Sequence, residues 1–556
     1  MKIKAASGRI ETMSQAIKQN KYFLTTVILS IILFSMTFGN LPGPSTQSGI
    51  VEANGTKYDF SEYGVVNKEQ LGLFNYLNTL VSHEYQDYGE WDGWYAEDFH
   101  GLHHYVLAFM DYAVSGLFET TPGYRSEHYR GFAHDLVKKM NTTEDVWGNS
   151  SIEWKEWTHP SYNYVDYYYP NATHPDGDDV YTGGFRGPAN IMWTGHYALM
   201  MSLYERSFKT GEMTDEISWF VEDWNTSLTT DGLGNPKEGG IWGVGLIPCE
   251  PYIVFVQCNS IPIYATELYD NMYGTQYMES GMWDAGLEYA NEVMQDEYDL
   301  FTDGYFVQEQ FGHFYSEERL PDEYPGPQMS FYVDDKPKVS SYCDAWALAF
   351  LEYTQPEKTA EDYPVFMEHF KKEVSSDQCY MMDTYNNPDG FGTYDILGSL
   401  FSMALTKQQD DFVTLERLMN FLYSSYNKIW DGRKMHFDTM SLEPFLQPVL
   451  AFGWLWATTP ITVKDLADTR PAAFWDYPYI SEADDENIWV YQAEWDPDKE
   501  GFILNVQVDE QATITFSNFD HEPVPYHNGD PLQEMTQENG DWVLTLDPGS
   551  YQLVIT

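Results

Sequence analysis

The chain is poor in cysteine, in cations and in the short motifs that announce nucleotide or metal chemistry. Its 556 residues include four cysteines, Cys249, Cys258, Cys343 and Cys379, too few for a disulfide scaffold. No CxxC or HExxH occurs, and no Walker loop or strand-following GxGxxG is present. Zinc and nucleotide sites therefore have no motif behind them, and neither a metal nor a cofactor is expected. Lys and Arg total 30 against 86 Asp and Glu, a net charge of −56. A field of that sign repels phosphate backbones and excludes nucleic acid as a partner. What the chain does have is apolar surface to bury, with 43% hydrophobic and 17% aromatic residues. That composition excludes wholesale disorder. At roughly 150 residues per domain the length suits one large domain and a smaller one.

The N-terminus carries Lys2, Lys4, Arg9, Lys18 and Lys21 ahead of the apolar run 22–38. A basic flank before such a run is the layout of a secretory signal or a signal-anchor helix, and its length stands near the lower limit for a membrane span. Residues 1–40 are accordingly expected to direct export, cleaved or retained as a membrane anchor, with 41–65 as a linker. The rest of the chain is then expected on the extracellular or periplasmic side. Sequons at Asn54, Asn141, Asn149, Asn171 and Asn225 agree with that placement but occur by chance in chains of this length.

From residue 66 to about 475, apolar residues recur at helical spacing between Gly-, Pro- and Asp-rich loops. The pattern predicts helices near 67–85, 101–119, 124–140, 187–208, 214–226, 259–274, 279–296, 341–354, 361–374, 392–406, 410–428 and 445–457. Pro188 and Pro262 are read as first-turn prolines. Helices in pairs suggest a mainly α protein built as an (α/α)6 toroid, its inner helices lining a cavity. The connections 141–186 and 297–340 are rich in Trp, Tyr and Phe and are expected to wall a pocket. After about 476 the period changes to two, as in Phe502–Val508 and Trp542–Leu546, which predicts a small all-β sandwich over 476–556.

Three groups of residues have chemical potential. Cys249 and Cys258 lie nine apart in one loop, with Glu250 beside the first. They suit acid–base or nucleophilic work, a structural disulfide, or simple apolar packing. His196 falls on one helical stripe with Met192 and Met200, where a lone histidine is more often a hydrogen-bonded core residue. Glu97, Asp98, His100, His103 and His104 precede Tyr105; an acid there also suits a helix cap, and adjacent histidines face different ways.

The order GHYALMMSLYE from Gly195, CEPYIVFVQCN from Cys249 and CDAWALAFL from Cys343 resembles the linalool dehydratase/isomerase family. The resemblance implies a cofactor-free (α/α)6 enzyme of the cell exterior or periplasm. Such enzymes dehydrate the tertiary allylic alcohol linalool to myrcene and interconvert linalool with geraniol. Residue by residue, it makes Cys249 and Cys258 the paired active-site cysteines and His196 the active-site histidine, with Met192 one turn before. Tyr105 takes the place of the catalytic-region tyrosine, Asp98 that of the essential aspartate, and Tyr124 that of a further pocket tyrosine. The family assembles into rings, which extends to this chain the expectation of a homo-oligomer, although no interface signature is visible. The β domain departs from the family pattern, and no cysteine precedes Cys249 to supply the family's separate disulfide.

These residue types suit that chemistry. Loss of water from an allylic alcohol needs an acid at the hydroxyl and a base at a neighbouring methyl, facing each other across an apolar cavity. His196, Asp98 and Tyr105 would handle the hydroxyl, and the two thiols the allylic end. Met192, Tyr124 and Glu250 would contact the substrate, while aromatic walls stabilise positive charge and exclude water. The expected partner is thus a small hydrophobic alcohol or alkene. Two other readings stand beside it: an exported (α/α)6 carbohydrate-active hydrolase or lyase using carboxylates such as Asp92, Glu97 and Asp98, and a non-catalytic glycan- or lipid-binding surface protein.

Overall fold

The computed structural model describes residues 49–81, 103–140, 191–230, 235–240, 242–249, 253–306, 329–330, 332–333, 336–337, 339–383, 393–439 and 446–556. The described chain is mainly helical and ends in a β region. The basic N-terminus, its apolar run, Pro188 and the aromatic connection 141–186 lie outside the described residues. Among the described residues no helix is long and apolar enough to cross a membrane.

Twelve α-helices stand among the described residues. They are α1 (Lys68–Val81), α2 (His103–Thr120), α3 (Glu127–Met140), α4 (Ile191–Phe208), α5 (Thr214–Thr229) and α6 (Val256–Tyr273), followed by α7 (Asp284–Val293), α8 (Ser341–Leu351), α9 (Pro356–Phe370), α10 (Ile396–Gln408), α11 (Phe412–Ser425) and α12 (Leu446–Thr458). Each falls on a segment whose apolar period predicts it. The even-numbered helices are buried over most of their surface: all of α4 from Ile191 to Ser207 is buried, as is α12 from Leu446 to Trp456. A helix buried all round has to be surrounded, and these six pack in succession on one another. Helix α2 packs on α4, α4 on α6, α6 on α8, α8 on α10, α10 on α12, and α12 back on α2. The odd-numbered helices bury one stripe each, α3 against α2 and α4, α9 against α8, and α11 against α10.

Two differences from the sequence reading have physical causes. Helix α6 begins at Val256, ahead of the start that the apolar period predicts at Asn259, so Pro262 sits inside the helix rather than in its first turn. Its missing N–H leaves the Cys258 carbonyl without the usual i+4 donor. The linker expected over 41–65 contains folded structure, because a hairpin of β1 (Ile50–Ala53) and β2 (Thr56–Asp59) turns on Asn54–Gly55, both at positive φ. Asn-Gly is the preferred pair for such a turn.

The β region holds β3 (Tyr479–Ala483), β4 (Ile488–Asp496), β5 (Gly501–Val508), β6 (Ala512–Ser517), β7 (Pro525–His527), β8 (Asp530–Pro531), β9 (Thr536–Glu538), β10 (Asp541–Leu546) and β11 (Gly549–Ile555). They form two antiparallel sheets, ordered β3-β6-β10-β9 and β4-β5-β11-β7-β8. Period-two alternation divides β5 between two faces. Phe502 meets Phe516 of the other sheet edge-on, with ring centroids 5.5 Å apart. Ile503 turns the opposite way and packs with Val554 on Val51, Ala53, Tyr58 and Phe60 of the N-terminal hairpin and the turn after it.

Candidate active site

The site is built where the first three turns of the inner helices come together. Helix α2 presents Tyr105, Phe109 and Tyr112 at spacings of four and three, one stripe of a helix. From α4 come Met192 and His196, from α8 Trp346, and from α10 and α12 Phe401 and Phe452. Trp346 stacks on Phe401 with centroids 5.0 Å apart and planes 12° from parallel. It meets Tyr105 and Phe109 edge-on at 5.8 and 5.6 Å. Phe401 and Phe452 close the far side at 4.8 Å.

His196 stands in the wall of this aromatic enclosure, 1% exposed. Its ring lies 5.3 Å from that of Tyr105 and 5.4 Å from that of Trp346. Nδ1 is 2.6 Å from the Tyr112 hydroxyl, while Nε2 meets no hydrogen-bond partner among the described residues. Burial lowers the His196 pKa to about 3, and burial with Asp111 nearby raises Tyr112 well above the ordinary phenol range. Both rings are therefore neutral at ordinary pH. His196 is a polar hydrogen-bonding group in an apolar wall and carries no imidazolium proton to give. Tyr105 donates its hydroxyl proton to the Met192 sulfur, joining two predicted site residues across α2 and α4.

The two cysteines are brought to the same end by the packing of α4 on α6. Gly195, next to His196, faces Pro262; a Cβ there would lie 2.9 Å from the proline Cδ, so only glycine permits this approach. Cys258 lies one turn before Pro262. The preceding loop is pinned by Asn259, whose side-chain oxygen accepts from Ile247 N–H at 2.9 Å and whose amide donates to the Ile247 and Phe255 carbonyls at 3.0 and 2.9 Å. The Pro248 carbonyl in turn accepts from the Ile191 N–H at the start of α4, 3.1 Å away. Cys249 and Cys258 are buried, and neither is in a disulfide. The disulfide alternative is not formed.

Not every predicted residue joins them. Tyr124 is buried after the far end of α2, where its hydroxyl donates to Asp485 of the β region and its ring lies 4.7 Å from Tyr129. Helix α2 rises about 22 Å between Tyr105 and Thr120, so Tyr124 serves the junction between helices and sheets, not the enclosure. Asp98 and Glu250 lie outside the described residues. The sequence reading passed over Phe109, Tyr112, Trp346 and Phe401, whose only signal is the stripe they share with Tyr105 or with one another's helix faces. A separate cavity of about 530 Å³ opens at the C-terminal ends of α4 and α6, lined among others by Arg206, Lys209, Asn271 and Trp475. It shares no residue with the His196 site.

Comparison with known proteins finds a similarity over one part of the chain. Residues 240–317 match the family model for linalool dehydratase/isomerase, a stretch that contains Cys249, Cys258 and the whole of α6 and α7. Among solved structures, the GH127 β-L-arabinofuranosidase Ara127N from Geobacillus stearothermophilus T6 is similar at 11% identity and a TM-score of 0.36, over 88% of this chain and 75% of that one.

Proposed function

We propose that this protein is a lyase/isomerase that dehydrates or isomerises an isoprenoid-like allylic alcohol, and that its ring of inner helices closes as an (α/α)6 toroid around the site. The observation that carries the reading is the position of two buried cysteines, neither in a disulfide, inside the family match, beside an aromatic enclosure that holds a neutral histidine. In this reading the substrate hydroxyl enters the enclosure and hydrogen-bonds to His196 Nε2, with Tyr105 and Asp98 completing the hydroxyl end. Met192 packs on the hydrocarbon. One thiol gives its proton to the hydroxyl, which leaves as water, and the other, as thiolate, takes a proton from the neighbouring methyl, so the pair exchanges protonation states in each dehydration. Trp346, Phe401 and Phe109 supply π faces to the developing allyl cation and keep water from capturing it. Export through the N-terminal segment belongs to the same proposal.

The test uses the reduced, oxygen-free protein at low and high salt, offered linalool, geraniol and longer isoprenoid alcohols, with products followed by headspace gas chromatography. The expected result is a diene or rearranged alcohol whose formation disappears in Cys249→Ala and in Cys258→Ala. A folded protein that leaves the whole panel unchanged overturns the reading.

A further inference from the structure

The cavity at the C-terminal ends of α4 and α6 has no part in the scheme above. One wall of it is the chain after α12, which turns through two short helical segments, Lys464–Ala467 and Ala472–Asp476. Two hydrogen bonds hold that wall in place. The Asn271 amide of α6 donates to the Ala467 carbonyl at 2.6 Å, and Arg206 Nε of α4 donates to the Leu466 carbonyl. About 530 Å³ is left between wall and helices, within the size range of small-molecule pockets. Leu268, Met272, Leu466, Ala467 and Trp475 give it an apolar lining.

The charged groups of the lining are unusual for this chain. Lys and Arg make up only 30 of its 556 residues, yet Arg206, Lys209 and Arg470 all line this one cavity. Arg206 and Arg470 share a single oxygen, Glu119 Oε2, so two cations meet one anion there. Glu119 engages Nη2 of Arg470, and the buried Nε finds no partner among the described residues. The guanidinium of Arg470 is fixed over the Phe474 ring, 4.1 Å from its centroid. The exposed Lys209 places its ammonium 5.3 Å from the centroid of the next ring, Trp475. Those two rings are themselves only 5.0 Å apart, which brings both cations to one side of the cavity. The acids of the lining do not answer them. Glu205 turns to its own loop, accepting from the Thr210 hydroxyl at 2.9 Å and from the Gly211 and Met213 N–H groups at 2.7 and 2.8 Å. Asp468 is exposed, and neither it nor Lys209 forms an ion pair among the described residues.

We propose that this cavity binds a small carboxylate with an apolar body, the carboxylate held by Arg470 and Lys209 and the hydrocarbon against Leu268, Met272 and Trp475. Guanidinium and ammonium groups hold a carboxylate by charge-assisted hydrogen bonds. The apolar lining gives an inorganic anion nothing to bury and favours one that carries hydrocarbon. The site stands apart from His196 and does not rest on the reaction proposed above.

The test is isothermal titration calorimetry of the full-length protein with 2-naphthoate, and with 2-naphthalenemethanol as the same rings without the charge. One 2-naphthoate is expected to bind per chain, and the alcohol about tenfold or more weakly, the worth of a hydrogen bond to a charged group. Lys209→Gln, an exposed change that leaves the Glu119 pairs intact, is expected to weaken 2-naphthoate about threefold or more. Ala472→Trp fills the cavity from an exposed position and is expected to abolish binding, while His196→Gln binds as the wild type does. Absence of saturable 2-naphthoate binding overturns the proposal, as does an alcohol that binds equally well. Unchanged affinity in Lys209→Gln or in Ala472→Trp, or loss of binding in folded His196→Gln, puts the carboxylate elsewhere and overturns it too.

Discussion

The Tyr112 hydroxyl and His196 Nδ1 lie 2.6 Å apart inside a wall that exposes neither ring. One hydrogen bond thereby decides what the other ring nitrogen can do. A phenol that donates to Nδ1 leaves the histidine's single proton on Nε2, facing the enclosure as a donor; the opposite arrangement leaves Nε2 an acceptor.

Tyr112→Phe separates orientation from packing. The phenyl ring keeps the stack on His196 but leaves Nδ1 unpaired in a buried wall, a loss of about 1–3 kcal/mol in stability. The expected kinetic outcome is a lower kcat with KM nearly unchanged, because the substrate site stays filled by the same carbon atoms. A variant whose KM alone rises would show that Tyr112 shapes the cavity and does not set the histidine.

Acid should report on His196 through folding. Its pKa is about 3 in the folded protein against about 6.5 in an unfolded chain. Between those values the unfolded state binds a proton that the folded state refuses. The stability present above about pH 6.5 is therefore lost as pH falls toward 3, at up to about 1.4 kcal/mol per pH unit. Asp111, raised by its own burial, acts in the opposite sense, so the diagnostic quantity is the difference between wild type and His196→Gln. Urea denaturation at pH 7.5 and pH 5 should show the wild type losing more stability than the variant on acidification.

Gly195→Ala tests the approach of α4 to α6. The new Cβ would meet the Pro262 ring at 2.9 Å, and neither the proline nor its helix can yield cheaply. Overpacking of this kind costs about 1–3 kcal/mol. Because the displaced contact sits between His196 and Cys258, activity should fall by a larger factor than thermal stability implies, measured as turnover beside a melting curve. Equal losses would mean that the spacing matters only for folding.

Trp346→Leu removes the largest π face while keeping an apolar side chain. Cation–π stabilisation of about 0.5–2 kcal/mol corresponds to about a two- to thirtyfold drop in kcat. Water should also capture more of the cation, so the ratio of alcohol to diene products should rise. An unchanged product ratio would take Trp346 out of the charge-stabilising wall.

Glu119→Gln probes the opposite end of the helices. Arg206 and Arg470, 5% and 11% exposed, both bind the Glu119 Oε2, Arg206 at 2.6 Å. Without that anion the two guanidinium groups repel each other with little water to screen them. The expected loss is about 3 kcal/mol or more, read from the denaturation midpoint, with kcat little changed in the protein that remains folded.

The helices were legible because a surrounded helix and a half-surrounded one both repeat every 3.6 residues, and the turn residues between them are distinct. His196 and Cys258 were legible through spacing to Met192 and Cys249. Tyr124 misled because a short Thr-Pro-Gly-Tyr turn says nothing about which end of a helix it follows. Pro262 misled because first-turn prolines outnumber interior ones; only the observed start of α6 at Val256 reveals it as interior. Trp346, Phe401 and Tyr112 belong to helices far apart in the chain, and an aromatic residue on an inward stripe reads as core until the ring of contacts brings three such stripes face to face.

The N-terminal hairpin has a consequence for how the chain is made. Val51 and Tyr58 bury themselves on Ile503 and Val554, and the Asn54 amide donates to the hydroxyl of the last residue, Thr556, at 3.1 Å. On a ribosome that adds roughly 5–20 residues per second, this hairpin waits about half a minute or longer for its partner strands. Among the described residues the hairpin thus emerges early and is completed late, and the helices between must assemble while its apolar face still lacks Ile503 and Val554.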